Sequence, residues 1–184
     1  NPGNPPHNLS GPKLGKGLGN TIQPYGIKEI KNISEKMAMA EKLGVFLCNC
    51  GPNIGEKMSV PDLAAFAQTL PGVTAVWTHP LLCSAEGQSF LEERIRESDL
   101  ERVVVGGCSP REHEGTFRKV LEQAGRNAFQ LQMANLREQC AWVTPNPEQA
   151  GEKARALIRA AVLRVREQEP IAAKDLEVNP DVLV

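Results

Sequence analysis

The sequence predicts an α/β fold in which about four parallel strands carry helices on both faces. From Leu43 onward, short apolar runs alternate with segments that have apolar residues at helical spacing. Connections of this length join parallel strands through crossover helices, which then cover both faces of the sheet. Strands are predicted at 43–48, 73–78, 102–106 and 128–133, and helices at 61–70, 85–98, 110–124, 136–142 and 147–167.

Composition divides the chain into three predicted parts. Residues 1–42 form an irregular and partly helical N-terminal extension: the first 26 residues are rich in Pro, Gly and Asn, and 28–42 has the pattern of a short polar helix. Residues 43–170 form the α/β domain. Residues 171–184 form a linker whose apolar end is typical either of the first strand of a following domain or of an edge strand.

Overall charge excludes two classes of partner. The 184 residues include 21 basic and 22 acidic side chains, which gives a net charge of -1. There is therefore no general field to attract nucleic acid or anionic lipid. No apolar run approaches the ~20 residues that span a bilayer, and no secretory signal is recognisable. We therefore expect a cytoplasmic protein without a membrane span.

The five cysteines are the strongest functional signal. Cytoplasmic thiols stay reduced, so an odd number of cysteines argues against a disulfide framework. Cys48 ends the first predicted strand and Cys50 follows it. This pair could serve as metal ligands, as a redox couple or as two neighbouring core residues. Cys83, Cys108 and Cys140 each follow a later strand. Because parallel strands end at one edge of a sheet, four cysteines are expected to converge there.

Local sequence supports this placement of the thiols. Ser109 and Glu112 form a predicted capping box after Cys108, and "NLRE" offers a similar cap before Cys140. Helix N-termini lower thiol pKa values, and thiolates bind soft metals and iron–sulfur clusters. The spacing matches neither paired zinc-knuckle cysteines nor a ferredoxin run. A metal cluster and buried core cysteines both stay open at this point.

Several neighbouring side chains are secondary candidates. His113 and His79 are near the expected edge and are either polar surface residues or hydrogen-bonding partners of the site. Arg111 and Arg137 either offset the charge of several thiolates or are simply solvated. Trp142 either shields the site from water or packs in the core.

Four separated motifs resemble one known family. "GVFLCNCGPNIG", "LLCSAEGQ", "RVVVGGCSPREHEGTFRKVLEQAG" and "MANLREQCAWV" occur in this order. Together they resemble the N-terminal domain of the heterodisulfide reductase HdrA family, the flavoprotein component of electron-bifurcating complexes in methanogens and related bacteria. The likeness covers about 43–170. It implies a Rossmann-like domain that holds a [4Fe-4S] cluster.

The resemblance also implies the ligands and partners. Carried over by motif, the cluster ligands are Cys50, Cys83, Cys108 and Cys140, with Cys48 in reserve. FAD is expected only in a following domain, because the chain ends where that family's flavin-binding domain begins and lacks its glycine-rich turn. Implied partners are heterodisulfide reductase B- and C-like iron–sulfur subunits and hydrogenase or formate dehydrogenase subunits, and a homodimer is compatible.

The predicted function is therefore an electron-transfer module that relays single electrons within a larger oxidoreductase. No residue is assigned a catalytic role. Two alternatives remain: a thiol–disulfide protein in which Cys48 and Cys50 cycle, and an assembly domain stabilised by zinc. Iron and sulfide content distinguishes the cluster from both.

Overall fold

Four parallel strands form a single sheet in the computed structural model, which describes residues 42–172 and 174. The order across the sheet is β2-β1-β3-β4, so β1 and β3 are central. All three neighbouring pairs are parallel, which confirms the predicted α/β class. The strands are β1 (Leu43–Cys48), β2 (Val73–His79), β3 (Arg102–Gly107) and β4 (Leu131–Asn135).

Helices cover both faces of the sheet. The helices are α1 (Pro52–Gly55), α2 (Val60–Gln68), α3 (Ala85–Glu97), α4 (Pro110–Gln123) and α5 (Pro147–Glu167). Helix α2 contacts α5, and α3 contacts α4, so that each pair forms one layer. A π-helical turn at Arg137–Ala141 connects β4 to α5.

The core lies around the two central strands. All six residues of β1 are buried, because helices cover it on both faces and strands flank it on both sides. Phe46 stacks on Trp77 with ring centroids 4.8 Å apart and meets the edge of Phe90 at 6.5 Å. Burying a side chain of this size stabilises the fold by roughly 1.5–3 kcal/mol. The C-terminal end of β1 is thus fixed in position.

Strand β4 begins later than the sequence predicts. The predicted start is residue 128, but the strand begins at Leu131. The side-chain oxygen of Asn127 accepts the Phe129 N–H at 2.9 Å, and the Asn127 carbonyl accepts the Gln130 N–H at 3.0 Å. This local turn delays the strand, because asparagine bonds to backbone groups two residues on.

The segment after β4 winds as a π-helical turn and not as the predicted α-helix. The N–H of Ala141 bonds to the Leu136 carbonyl at 3.0 Å, and that of Trp142 bonds to the Arg137 carbonyl at 2.9 Å. Both bonds span five residues. The predicted cap at Asn135 does form, with its side-chain oxygen accepting the Glu138 N–H at 3.0 Å. Such turns are rare and are frequent at functional sites.

Some predictions fall outside the described residues. The polar helix expected at 28–42 lies almost entirely beyond them, as does most of the linker at 171–184. The three-part division of the chain therefore stays a prediction. Among the helices that the structure does describe, none is long and apolar enough to cross a membrane.

Candidate functional site

Four cysteines line one small cavity at the C-terminal edge of the sheet. They are Cys48, Cys50, Cys83 and Cys108, which come from the ends of β1, β2 and β3. The cavity has a volume of about 20 Å³, enough for about one water molecule. Its other lining residues are Val105, Gly107, His113, Phe117 and Arg137.

The loop after β1 holds Cys50 in an unusual backbone conformation. The φ angle of Cys50 is 50° and that of Gly51 is 57°, both in the left-handed region. The Asn49 N–H donates to the His79 carbonyl at 3.0 Å, and the Gly51 N–H donates to the Pro80 carbonyl at 3.4 Å. A non-glycine residue there is uncommon, costs of order 1–3 kcal/mol, and is typical of functional sites.

The sulfur of Cys48 accepts two backbone hydrogen bonds. The donors are the N–H groups of Cys50 at 3.3 Å and Leu82 at 3.4 Å. Burial raises the pKa of the Cys48 thiol, while these two bonds lower it less strongly. Backbone N–H groups aimed at a sulfur also stabilise a metal-bound thiolate and tune its potential. The surroundings of Cys48 therefore suit a ligand as well as a core residue.

The pKa of the Cys108 thiol is raised, contrary to the expectation that a helix N-terminus lowers it. Cys108 precedes the predicted cap Ser109, whose side-chain oxygen accepts the Arg111 N–H at 3.3 Å. Burial nevertheless raises the pKa of Cys108, to about 11 overall; the positive charge of Arg137 lowers it and nearby Cys50 raises it, both less strongly than burial. With a pKa of about 11, the thiol keeps its proton at neutral pH.

Cys83 lies in the loop between β2 and α3, and the start of α3 packs closely against this loop. The Ser84 side-chain oxygen caps α3 by accepting the Gly87 N–H at 3.1 Å. A Cβ at Gly87 would lie 2.6 Å from Cα of Leu82 and would also overlap the Leu81 carbonyl. This close approach requires glycine. It fixes the loop that carries both Cys83 and the Leu82 N–H that reaches Cys48.

Cys140 lies apart from the other predicted ligands. It is in the π-helical turn, its side chain is 0% exposed, and it belongs to the hydrophobic core. Burial raises its thiol pKa, and the charge that opposes this comes from Lys153 of α5. Cys140 does not line the cavity. The structure thus brings Cys50, Cys83 and Cys108 together with the reserve residue Cys48.

Arg137 provides the positive charge at the cavity. Its Nη1 donates to the sulfur of Cys50 at 3.4 Å, and its Nη2 donates to Glu138 at 2.7 Å. The guanidinium carbon lies 4.8 Å from the ring centroid of Trp142. Burial alone would lower the pKa of Arg137, but the bonds to Glu138 and Cys50 raise it overall. Arg137 is therefore fully charged beside the thiols.

The other secondary candidates divide between the site and its surroundings. His113 lines the cavity, whereas the His79 ring stacks on Phe90 at 5.1 Å and accepts the Leu81 N–H at 3.1 Å. Arg111 is exposed at the start of α4. Sequence reasoning missed Asn53, whose side-chain oxygen accepts the Trp142 indole N–H at 3.2 Å. No sequence signal links those two residues, which are 89 positions apart.

The four thiols that line the cavity are ligands of the type that iron–sulfur clusters use. Within the described ranges, no three His, Cys, Asp or Glu side chains lie close enough together to hold one metal ion. A multi-iron cluster separates its sulfur ligands further than one ion does, and it binds cysteine thiolates. The fold and site together define a parallel α/β domain with a cysteine-lined pocket.

Comparison with known proteins identifies the family. No family model matches the chain. The chain is 42% identical over 144 residues to an HdrA protein of Methanopyrus kandleri, a "CoB--CoM heterodisulfide reductase iron-sulfur" component, covering 78% of this chain and 22% of that protein. It is 43% identical over 152 residues to the HdrA component of the "H(2):CoB-CoM heterodisulfide,ferredoxin reductase" of Methanothermobacter marburgensis. This match covers 82% of this chain and 23% of that protein.

A third relative agrees with these two. The HdrA-like heterodisulfide reductase protein of Archaeoglobus profundus is 41% identical over 144 residues, covering 78% of this chain and 20% of that protein. The chain belongs to the heterodisulfide reductase HdrA family. It spans about one fifth of the length of the curated relatives that it matches.

Proposed function

We propose that this chain is an electron-transfer domain of a heterodisulfide-reductase-like oxidoreductase and that it holds one [4Fe-4S] cluster. The observation that carries the proposal is the cavity at the sheet edge, where four cysteines and one arginine meet. Relatives whose names include the words "iron-sulfur" support it. When bound, such a cluster supplies a carrier for one electron at a time.

Three of the proposed ligands are Cys50, Cys83 and Cys108, which the motifs and the cavity both favour. The fourth is Cys140 by motif, but Cys48 by geometry. We favour Cys48, because it lines the same cavity and already accepts two backbone N–H bonds. Cys140 would have to leave a fully buried position in the core.

The surrounding residues supply the environment of the site. Val105 and Phe117 give the cavity apolar walls, and both are at most 2% exposed. Removing water from a redox site strengthens the effect of nearby charges and N–H groups on its potential. Arg137 places one positive charge against the sulfur of Cys50. These residues thus set the potential and exclude water.

The partners follow from the same proposal. The chain would exchange electrons with FAD in a further domain of the same polypeptide or with iron–sulfur subunits of the heterodisulfide reductase B and C types. Relatives are named as components of heterodisulfide reductases that use ferredoxin, H2 or F420H2, which supports a role among several redox subunits. Hydrogenase and formate dehydrogenase subunits are the proposed outer donors.

The rival thiol–disulfide function rests on Cys48 and Cys50, which lie two positions apart with free thiols. Their burial at 6% and 8% exposure disfavours it, because redox-active thiols need access to their partners. A zinc-stabilised domain is disfavoured by the absence, in the described part, of three side chains placed to hold one ion.

Metal and sulfide analysis of anaerobically purified protein tests the proposal. We expect about four iron and four acid-labile sulfide atoms per chain, with an S = 1/2 EPR signal after dithionite reduction. Cys108→Ala should lose the cluster yet keep its circular-dichroism spectrum. Iron-free or zinc-loaded wild-type protein would reject the proposed function, and full iron content in Cys108→Ala would reject the ligand assignment.

A further inference from the structure

Cys50 belongs to a closed ring of four residues in contact. Arg137 donates to its sulfur at 3.4 Å, and the guanidinium stacks on Trp142 at 4.8 Å. The Trp142 indole N–H donates to the side-chain oxygen of Asn53 at 3.2 Å. Asn53 returns to the start of the ring, because its side-chain nitrogen donates to the Cys50 carbonyl at 3.0 Å.

The π-helical turn makes this ring geometrically feasible. In an α-helix with 3.6 residues per turn, side chains five positions apart point about 140° away from each other. Here the Trp142 N–H donates to the Arg137 carbonyl at 2.9 Å, so that this hydrogen bond closes a wider turn over five residues. The two side chains therefore lie on the same side, and the indole covers the guanidinium.

Contacts with three side chains hold Arg137 in this position. Its Nε and Nη2 both donate to one carboxylate oxygen of Glu138, at 3.1 and 2.7 Å, which leaves Nη1 for Cys50. Its side chain is only 20% exposed. Planar stacking and forked hydrogen bonding are specific to arginine, and lysine provides neither. A charge held in this way is screened less by salt than a surface charge.

We propose that Arg137 is a positioning residue that raises the reduction potential of the cluster bound at Cys50, and that Trp142 and the π-helical turn exist to hold it there. The inference rests on the proposed function. Reduction adds one negative charge to the group bound at Cys50, and a fixed cation 3.4 Å from that sulfur favours the reduced form.

A matched control exists in the same fold. Arg111 carries the same charge and lies three positions after Cys108, but its side chain is exposed. Removing it changes the net charge of the protein by the same amount as removing Arg137. Of these two arginines, Arg137 is the one that contacts a proposed ligand sulfur, so the two variants separate a local effect from a general one.

The test is a redox titration of cluster-loaded protein, followed by EPR and visible absorption at low and high salt. For Arg137→Met we expect the equilibrium between oxidised and reduced forms to shift at least tenfold towards the oxidised form. For one electron that is a potential about 59 mV lower. Arg137→Lys should recover part of the shift, because it keeps the charge but loses the stacking. Arg111→Met should move the potential much less, and high salt should remove its effect.

The outcomes separate this inference from the proposed function. A loaded Arg137→Met protein with the wild-type potential would overturn the inference and leave the function standing. Wild-type protein that binds no cluster would overturn both. If the Arg137→Met protein fails to hold a cluster, the potential of the Trp142→Leu protein is measured in its place. That variant keeps the charge of Arg137 and removes the surface on which it stacks. A lower potential in that variant supports the inference, and an unchanged one refutes it.

Discussion

The shared cavity favours Cys48 as the fourth cluster ligand, whereas the sequence motif favours Cys140. Alanine substitution of each residue in turn tests which of the two is the ligand. Each substitution removes one sulfur from a buried thiol, so the two variants are matched in chemistry. Cys48 lines the cavity with the other three thiols, whereas Cys140 does not. We therefore expect Cys48→Ala to lose most of its iron and Cys140→Ala to keep about four iron atoms per chain.

The stability cost of each substitution can be worked from its surroundings. Cys140 is 0% exposed, so removing its sulfur leaves a cavity about the size of a methyl group, at a cost of ~1 kcal/mol. The sulfur of Cys48 accepts the N–H groups of Cys50 and Leu82. Leaving two such buried donors unpaired adds about 2 kcal/mol, at the low end of the usual cost because sulfur is a weak acceptor.

The assay has two parts. Thermal unfolding of the cluster-free proteins measures the structural cost, and both variants should unfold as single cooperative transitions below the wild type. Iron and acid-labile sulfide per folded chain then measure ligation. If Cys140→Ala loses its iron while Cys48→Ala keeps it, the motif is the better guide and the argument from the shared cavity is refuted.

Two further predictions concern the stability of the fold. Gly87→Ala should lower stability by roughly 1–3 kcal/mol, because its methyl group would overlap the backbone of the preceding loop; Gly151→Ala, at an open helical position, should stabilise by ~0.5–1 kcal/mol in the same thermal denaturation assay. Hydrogen bonds from Lys42 and then Arg126 hold the pKa of Asp99 below 3.8. Asp99 therefore contributes stability that is present above pH 3.8 and is lost as the pH falls through its lower folded value. In Asp99→Asn, the thermal unfolding midpoint should therefore fall less at acidic pH than it does in the wild type. An unchanged dependence of the midpoint on pH would contradict this.

Local sequence was a good guide where local physics decides the structure. The apolar run at 43–48 became the buried strand β1, and the helix predicted at 147–167 matches α5. Asn135 caps the segment after β4 as predicted. Ser109 caps the helix after β3, but its side-chain oxygen accepts the Arg111 N–H and not the Glu112 N–H that a capping box requires. Capping and periodicity depend on residues within a few positions, so they can be recognised in one dimension.

The same local rules failed where a neighbour far along the chain intervenes. The winding of 136–142 departed from the expected α-helix, in a turn whose Arg137 reaches a sulfur 87 positions away. The thiol of Cys108 follows a strand and precedes a helix N-terminus, which predicts a lowered pKa. Its pKa is raised instead, because burial of the thiol outweighs the opposing charge of Arg137.

By itself, the sequence determined the α/β class, the family and the placement of cysteines after consecutive strands. The tertiary structure decided which cysteines share a cavity: Cys48, Cys50, Cys83 and Cys108 do, and Cys140 is enclosed in the core. It also decided that Arg137, and not Arg111, reaches a sulfur. The physical reason is that strand order and helix winding set the direction of each side chain, whereas sequence position only sets its distance along the chain.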